Sequence, residues 1–200
     1  EFPEMLDGRI KTLHPKIHGG ILGRRDLAEH QETMKNHKID PIDLVVVNLY
    51  PFEETIKKEN CSLDLAIENI DIGGPAMIRS AAKNYQHVAV LSNSNDYQSF
   101  IDELNKNQGA ITKDFSFSLA KKAFARTSAY DSAISSYLGA DKKNRFPKKL
   151  FKTIDKVMDL RYGENPHQQA AFYKDTIEEI GSLSSFEQIQ GKELSFNNLN

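Results

Sequence analysis

The chain has 200 residues and a mass of 22.6 kDa, enough for one domain with a real hydrophobic core or for one domain and part of a second. Lys and Arg total 26 against 28 Asp and Glu, a formal net charge of −2, so there is no basic excess of the kind that holds a nucleic-acid backbone without sequence preference. The composition, 39% hydrophobic and 27% charged, is that of a globular chain, no apolar run approaches the roughly 20 residues of a membrane span, and the lone Cys61 excludes an intrachain disulfide.

Residues 1 to 25 are rich in Gly, His, Pro and basic side chains, with turn signals at Asp7-Gly8, His14-Pro15 and Gly19-Gly20, and read as loop with short elements. The run Asp43 to Leu49 is nearly continuous apolar and β-branched sequence, the pattern of a strand buried on both faces of a parallel sheet. Pro51 stops its ladder. His87 to Leu91 reads as a second strand of the same kind. Between them Ser62 is placed to cap a helix over 63–69, and Pro75 suits the first turn of another running to about Asn84. Asp96 is placed to cap a helix over 97–105, with Tyr97, Phe100, Ile101 and Leu104 on one stripe. The longest helix is expected over about 114–138, where Phe117, Ala120, Phe124, Thr127, Ile134 and Leu138 recur at three- and four-residue steps. Strands alternating with helices imply an α/β layer structure. A charged stretch within 139–156 reads as a linker and domain boundary, and 160–200 carries too few apolar residues for a core of its own.

Several clusters offer chemistry. Arg9, Lys11 and Thr12 lie in a glycine-flanked loop, a placement that would allow their donors to converge on an anionic or carbonyl oxygen. His14 and His18 are four apart, but Pro15 lies between them and no Glu follows His14, so packing within a loop is favoured over metal binding. Asn48 and Tyr50 follow a buried strand, at the end of a sheet where α/β proteins bind ligands. Gly73 and Gly74 precede a helix and expose amide donors at its positive end. Asp71 just before them and Lys83 on the helix are candidates for an acid/base pair, with a structural turn and surface ion pair as the equal alternative. Two polar segments, Leu160 to Gln168 and Gly191 to Asn198, read as binding loops or as plain surface.

The spellings Met5-Leu6-Asp7-Gly8-Arg9-Ile10-Lys11-Thr12-Leu13-His14-Pro15, Asn48-Leu49-Tyr50-Pro51-Phe52, Ile70-Asp71-Ile72-Gly73-Gly74, Ala81-Ala82-Lys83-Asn84 and Leu160 to Gln168 closely resemble the bifunctional purine-biosynthesis enzymes that combine IMP cyclohydrolase with AICAR formyltransferase. The resemblance covers essentially the whole chain in the family's order. It implies an α/β fold, a methylglyoxal-synthase-like doubly wound parallel sheet with helices on both faces, over residues 1–152. That cyclohydrolase domain would lack its amino-terminal strand and phosphate-binding loop. Residues 153–200 would open a second α/β domain, the formyltransferase, whose Lys-His pair would lie beyond Asn200. Both ends of the chain, Glu1 without an initiator Met and Asn200 without a tail-like change, are accordingly expected to be cut.

The resemblance also implies roles. Arg9, Ile10, Lys11, Thr12, Val47, Asn48, Asp71 and Ile72, with the Gly73-Gly74 pair, match the segment that binds FAICAR and IMP. Lys83 matches the residue assigned proton transfer in ring closure, with Lys11, Tyr50 and Asp71 around the reacting atoms. Arg161 and Tyr162 match residues that hold AICAR. Cyclisation would need no metal or other cofactor, and formyl transfer would use 10-formyltetrahydrofolate. The expected partners are small nucleotides and folate, in a cytoplasmic homodimer without nucleic-acid or membrane contacts. The competing readings are a non-catalytic nucleotide-sensing module of the same fold, against which the Arg161 to Gln168 motif speaks, and a methylglyoxal-synthase-type lyase.

Overall fold

A computed structural model describes residues 6–140, 146–175, 183 and 188–199. The chain divides into two compact units, residues 1–134 and 135–200. Met5, the stretch 141–145 and Asn200 lie outside the described residues.

The first unit opens with a 3-10 turn over Leu6–Gly8 and then α1, Pro15–Leu22. These are short elements, as expected, but the helix runs through the turn signal at Gly19-Gly20. Pro15 fixes the first helical turn, His14 Nδ1 accepts from Lys16 N at 3.1 Å, and Gly19 and Gly20 lie inside the helix. The reason is packing. A Cβ on Gly20 would lie 2.5 Å from the Asp40 carbonyl oxygen, so the glycine lets α1 rest directly on the backbone of 39–42. A further helix, α2, covers Ala28–Asn36.

Strand β1, Leu44–Val46, leads through α3 (Phe52–Ile56), α4 (Leu63–Glu68) and α5 (Gly73–Lys83) to β2, Ala89–Leu91. The strands are parallel, with Val45 opposite Val90. Ala89 N to Asp43 O at 2.9 Å and Val47 N to Leu91 O at 3.0 Å extend the pairing at both ends. The β2 residues are all buried, as their sequence indicates. In β1 only Val45 is buried, while Val46 is 47% exposed. The expectation of burial on both faces therefore fails for β1, which among the described residues has a strand neighbour on one side alone.

Ser62 caps α4 as expected, its hydroxyl accepting from Leu65 N at 3.1 Å. Helix α5 begins at Gly73, before Pro75, because Asp71 supplies its N-terminal acceptor. Gly74, Ile78, Ala81 and Ala82 turn inward, where α5 packs on α1 and both strands. At its far end the buried Asn84 amide donates to Ile21 O at 2.8 Å and Gly23 O at 3.1 Å.

Helix α6 spans Tyr97–Lys106 and α7 spans Lys113–Leu138. Asp96 does not cap α6. A 3-10 turn over Ser94–Asp96 precedes the helix, and the Asp96 carboxylate pairs with Lys122 on α7. The buried face of α7 is Ser116, Leu119, Ala120, Ala123, Thr127 and Tyr130: Ala120 and Thr127 of the expected stripe are buried, while Ser116 and Ala123 take the places expected of Phe117 and Phe124. Phe117 and Phe124 consequently stand 48% and 41% exposed. No helix among the described residues is long and apolar enough to cross a membrane.

The second unit holds an antiparallel pair, β3 (Ile154–Leu160) and β4 (Ala170–Asp175), with a register irregularity between Lys156 and Met158. A short helix, α8, covers Phe196–Leu199.

Candidate active site

Three segments far apart in sequence meet where β1 ends and α5 begins. Asp71 is the centre. Its Oδ1 accepts from Gly74 N at 2.8 Å, and Oδ2 accepts from Tyr50 N at 3.4 Å. The first contact caps α5 and sets the carboxylate at the positive end of the helix dipole. Gly73 explains the approach of the third segment: a Cβ there would sit 2.1 Å from Thr12 Oγ1. Gly74 is similarly constrained, since its Cβ would fall 2.3 Å from Asp71 Oδ2. The glycine pair is thus required by the closeness of Thr12 and of Asp71 itself.

Behind the cluster stands Tyr130, almost wholly buried on α7. Its hydroxyl accepts from Asp71 N at 2.9 Å and donates to Asn69 O at 3.3 Å, and its ring meets Phe52 edge-on at 6.2 Å. Burial pushes the phenol pKa up, so the neutral hydroxyl is the form that holds the loop. Sequence reasoning missed Tyr130. The available signal was a tyrosine three residues past Thr127 on an otherwise apolar helix face, where the hydroxyl must find a partner.

The remaining predicted residues are distributed as follows. Arg9 forms an ion pair with Glu68 on α4, and its loop is tied by Arg9 N to Leu6 O and Lys11 N to Gly8 O bonds of 3.0 and 3.1 Å. Lys11 is exposed, while Ile10 and Thr12 are half-buried. Val47 continues the sheet ladder, and the Asn48 amide donates to Tyr97 Oη at 3.1 Å. Ile72, 60% exposed, begins the outer face of α5. His14 and His18 are engaged separately: His14 caps α1, and His18 Nδ1 lies 3.2 Å from Ser80 Oγ.

Lys83 is not brought to Asp71 in the same chain. It occupies the last turn of the eleven-residue α5, and a rise of 1.5 Å per residue carries it about 15 Å from Gly73. There it lines a separate groove of about 540 Å³ with Leu22, Arg79, Phe117, Lys121 and Phe124. The Arg79 guanidinium lies 5.6 Å from the centre of the Phe124 ring, and Lys121 Nζ lies 5.3 Å from that of Phe117.

In the second unit, Arg161 N donates to Leu194 O at 2.8 Å and Phe196 N to Tyr162 O at 3.1 Å. The two polar segments singled out in the sequence therefore bind each other through their backbones. Arg161 lies over the Tyr162 ring at 5.0 Å. The Ser195 hydroxyl, and after it Arg161, hold the Tyr162 phenol pKa below its usual value. Gly163 N to Gln168 O at 2.9 Å and Asn165 N to Gln168 Oε1 at 2.9 Å close the intervening turn.

Comparison with known proteins places these features. Residues 81–200 match the family model described as AICARFT/IMPCHase bienzyme, and residues 1–76 match an MGS-like domain. The bifunctional purine biosynthesis protein PurH of Neisseria meningitidis is 56% identical over 99% of this chain, and that of Polynucleobacter asymbioticus 53% identical over 100% of it. The chain spans 39% of the length of each of these relatives. A solved structure described as the crystal structure of ForH superposes with a TM-score of 0.58 at 35% identity, covering 68% of this chain and 71% of that one. The fold is α/β and MGS-like in its first part, and the chain belongs to the AICARFT/IMPCHase bienzyme family.

Proposed function

We propose that the protein carries out the last two steps of purine synthesis, with the first unit closing FAICAR to IMP and the second contributing to formyl transfer onto AICAR. The observation that carries the first assignment is the Asp71 carboxylate, held by two backbone N–H groups beside Thr12 and the Tyr50 segment. The family membership and the relatives' names support it.

In ring closure the carboxamide nitrogen of FAICAR attacks its own formyl carbon. A C–N bond forms, and the carboxamide nitrogen loses a proton while the former carbonyl oxygen gains one to become a hydroxyl. The C–O bond then breaks as the formamide nitrogen gives up its own proton and forms a C=N bond, and the oxygen leaves as water. The reaction is intramolecular, so fixing the two groups at near-attack distance supplies much of the acceleration. The Gly73 and Gly74 segment and Thr12 shape the crevice that imposes that geometry. Lys11 is assigned to the oxygen on which charge develops. Asp71 orients or accepts a proton, and Tyr50 serves the departing hydroxyl; Lys83 is assigned proton transfer by its match to the family motif, although in the single chain it stands at the other end of α5. Arg9, Ile10, Val47, Asn48 and Ile72 complete the nucleotide contacts.

In the second unit Arg161 and Tyr162 are assigned to AICAR, with 10-formyltetrahydrofolate as the formyl donor in the full-length protein. The domain junction is assigned near 152–153. The protein is assigned to the cytoplasm as a homodimer acting on small nucleotides and folate, without nucleic-acid or membrane partners. The test uses the full-length protein: FAICAR conversion to IMP, followed by absorbance, should be lost in Asp71→Ala, and calorimetric AICAR affinity should fall at least tenfold in Arg161→Ala while cyclisation persists. A full-length wild-type protein unable to form IMP would refute the reading.

A further inference from the structure

Tyr97 heads the apolar stripe that the sequence gives to α6, yet Phe100 is the buried residue of that helix and Tyr97 is only half-buried. Its hydroxyl reaches away from α6. The Asn48 amide, 49 positions earlier in the chain, donates to Tyr97 Oη at 3.1 Å. The two residues meet because β1 and β2 are parallel neighbours, so their C-terminal ends lie side by side. Asn48 follows β1, and Tyr97 follows β2 by way of the 3-10 turn over Ser94–Asp96. Both therefore stand at the edge of the sheet where α/β proteins bind ligands.

The backbone is fastened on both sides of this contact. Before and after Asn48, Val47 N is bonded to Leu91 O at 3.0 Å, Leu49 is buried, and Tyr50 N donates to Asp71 Oδ2 at 3.4 Å. Ahead of Tyr97, Asn93 Oδ1 accepts from Asn95 N at 2.9 Å, Lys122 pairs with the Asp96 carboxylate, and Ser99 Oγ donates to Asp96 O at 2.9 Å. What these contacts leave free is the exposed Asn48 side chain. An unrestrained amide rotates and offers a ligand either its N–H groups or its oxygen. The bond to Tyr97 removes that freedom. With Nδ2 turned to the phenol, Asn48 Oδ1 has no hydrogen-bond partner among the described residues and is left as an open acceptor.

We propose that Tyr97 is a positioning residue of the nucleotide site, its hydroxyl holding the Asn48 amide so that Oδ1 accepts a hydrogen bond from a neutral donor of the substrate, an N–H or a hydroxyl. The inference rests on the cyclohydrolase reading and deepens it: Tyr97 acts through Asn48 on substrate binding and does not touch the reacting atoms.

The test uses the full-length protein. Tyr97→Phe removes one hydroxyl and keeps the ring. KM for FAICAR should rise about three- to tenfold, the worth of one hydrogen bond. The kcat should stay within about twofold, because a contact made equally to substrate and transition state moves KM alone. In calorimetry, Asn48→Ala should weaken IMP binding by at least as much, and adding Tyr97→Phe to it should cause no further loss, since the hydroxyl then has nothing to hold. A Tyr97 that only supports the fold would instead lower the urea midpoint and add its full cost to that of Asn48→Ala. An unchanged KM in Tyr97→Phe overturns the inference, as does a loss of kcat at constant KM. Additive losses in the double variant overturn it too, as does wild-type IMP affinity in Asn48→Ala. In each of these cases a wild-type protein that forms IMP in the same assay leaves the cyclohydrolase reading in place, whereas a wild-type protein that forms none overturns both.

Discussion

Tyr130→Phe removes one oxygen from the centre of the first unit and nothing else. The ring keeps its edge contact with Phe52, so no cavity the size of a side chain opens and the cavity cost of a core truncation does not arise. What is lost is the acceptor for Asp71 N at 2.9 Å and the donor to Asn69 O at 3.3 Å. A buried N–H left without an acceptor costs about 1–3 kcal/mol. The variant should therefore unfold at lower urea by that amount with an unchanged denaturant slope. Because Asp71 N belongs to the residue whose carboxylate caps α5, cyclisation should fall as well. The pH dependence provides an independent check. Burial raises the Tyr130 phenol above its ordinary 10.0, so the unfolded chain ionises first, and the stability due to this group is full below pH 10 and declines as pH rises beyond it. The gap between wild type and Tyr130→Phe should narrow at alkaline pH. Equal urea midpoints for the two proteins at pH 7 would refute the reasoning.

Gly73→Ala forces a methyl against Thr12 Oγ1 and should weaken IMP binding by calorimetry about tenfold or more, with near-wild-type far-UV circular dichroism. Asn84→Ala removes two buried bonds, to Ile21 O and Gly23 O, and should lower stability by about 1–3 kcal/mol in urea titration. Arg24 holds the Asp26 carboxyl well below the usual carboxylate range, with a smaller contribution from His87. A depressed carboxylate contributes stability that is present above its unfolded value of 3.8 and is lost as pH falls toward the folded one. Melting curves of wild type and Asp26→Asn should accordingly differ at pH 6 and converge under strong acid.

Much of the first unit is legible because its signals are local. The Ser62 cap, the apolar run before Leu91 and the period of α7 each depend on neighbours within a few residues. The failures share a cause in tertiary contact. Gly19 and Gly20 carry a turn signal, but they serve the close packing of α1, Gly19 on the Ile39 side chain and Gly20 on the Asp40 carbonyl. Asp96 has the composition of a cap, yet Lys122 from another helix takes its carboxylate. In the candidate site, the motif spellings pick out Thr12, Asp71 and Gly73 but give no distance. Lys83 ends the helix that Gly73 begins and so stands a helix length away in space. The β3–β4 pair escaped notice because Asp155, Lys156 and Asp159 interrupt the apolar residues of the mostly exposed β3, and β4 offers only the short run Ala170 to Tyr173.

The two ends of α5 are fastened differently, and this has a mechanical consequence. Asp71 ties the start of the helix to the Tyr50 segment and, through its N–H, to Tyr130. Asn84 ties the finish to carbonyls at the end of α1. A helix pinned at both ends resists sliding along its axis, since any translation stretches bonds at the two termini together. It behaves as a strut between the His14–Gly23 segment and the crevice. A ligand that pulls the Asp71 loop inward therefore loads the Asn84 joint as well, and hydrogen exchange at Asn84 N–H and at Gly23 N–H should slow when the nucleotide binds.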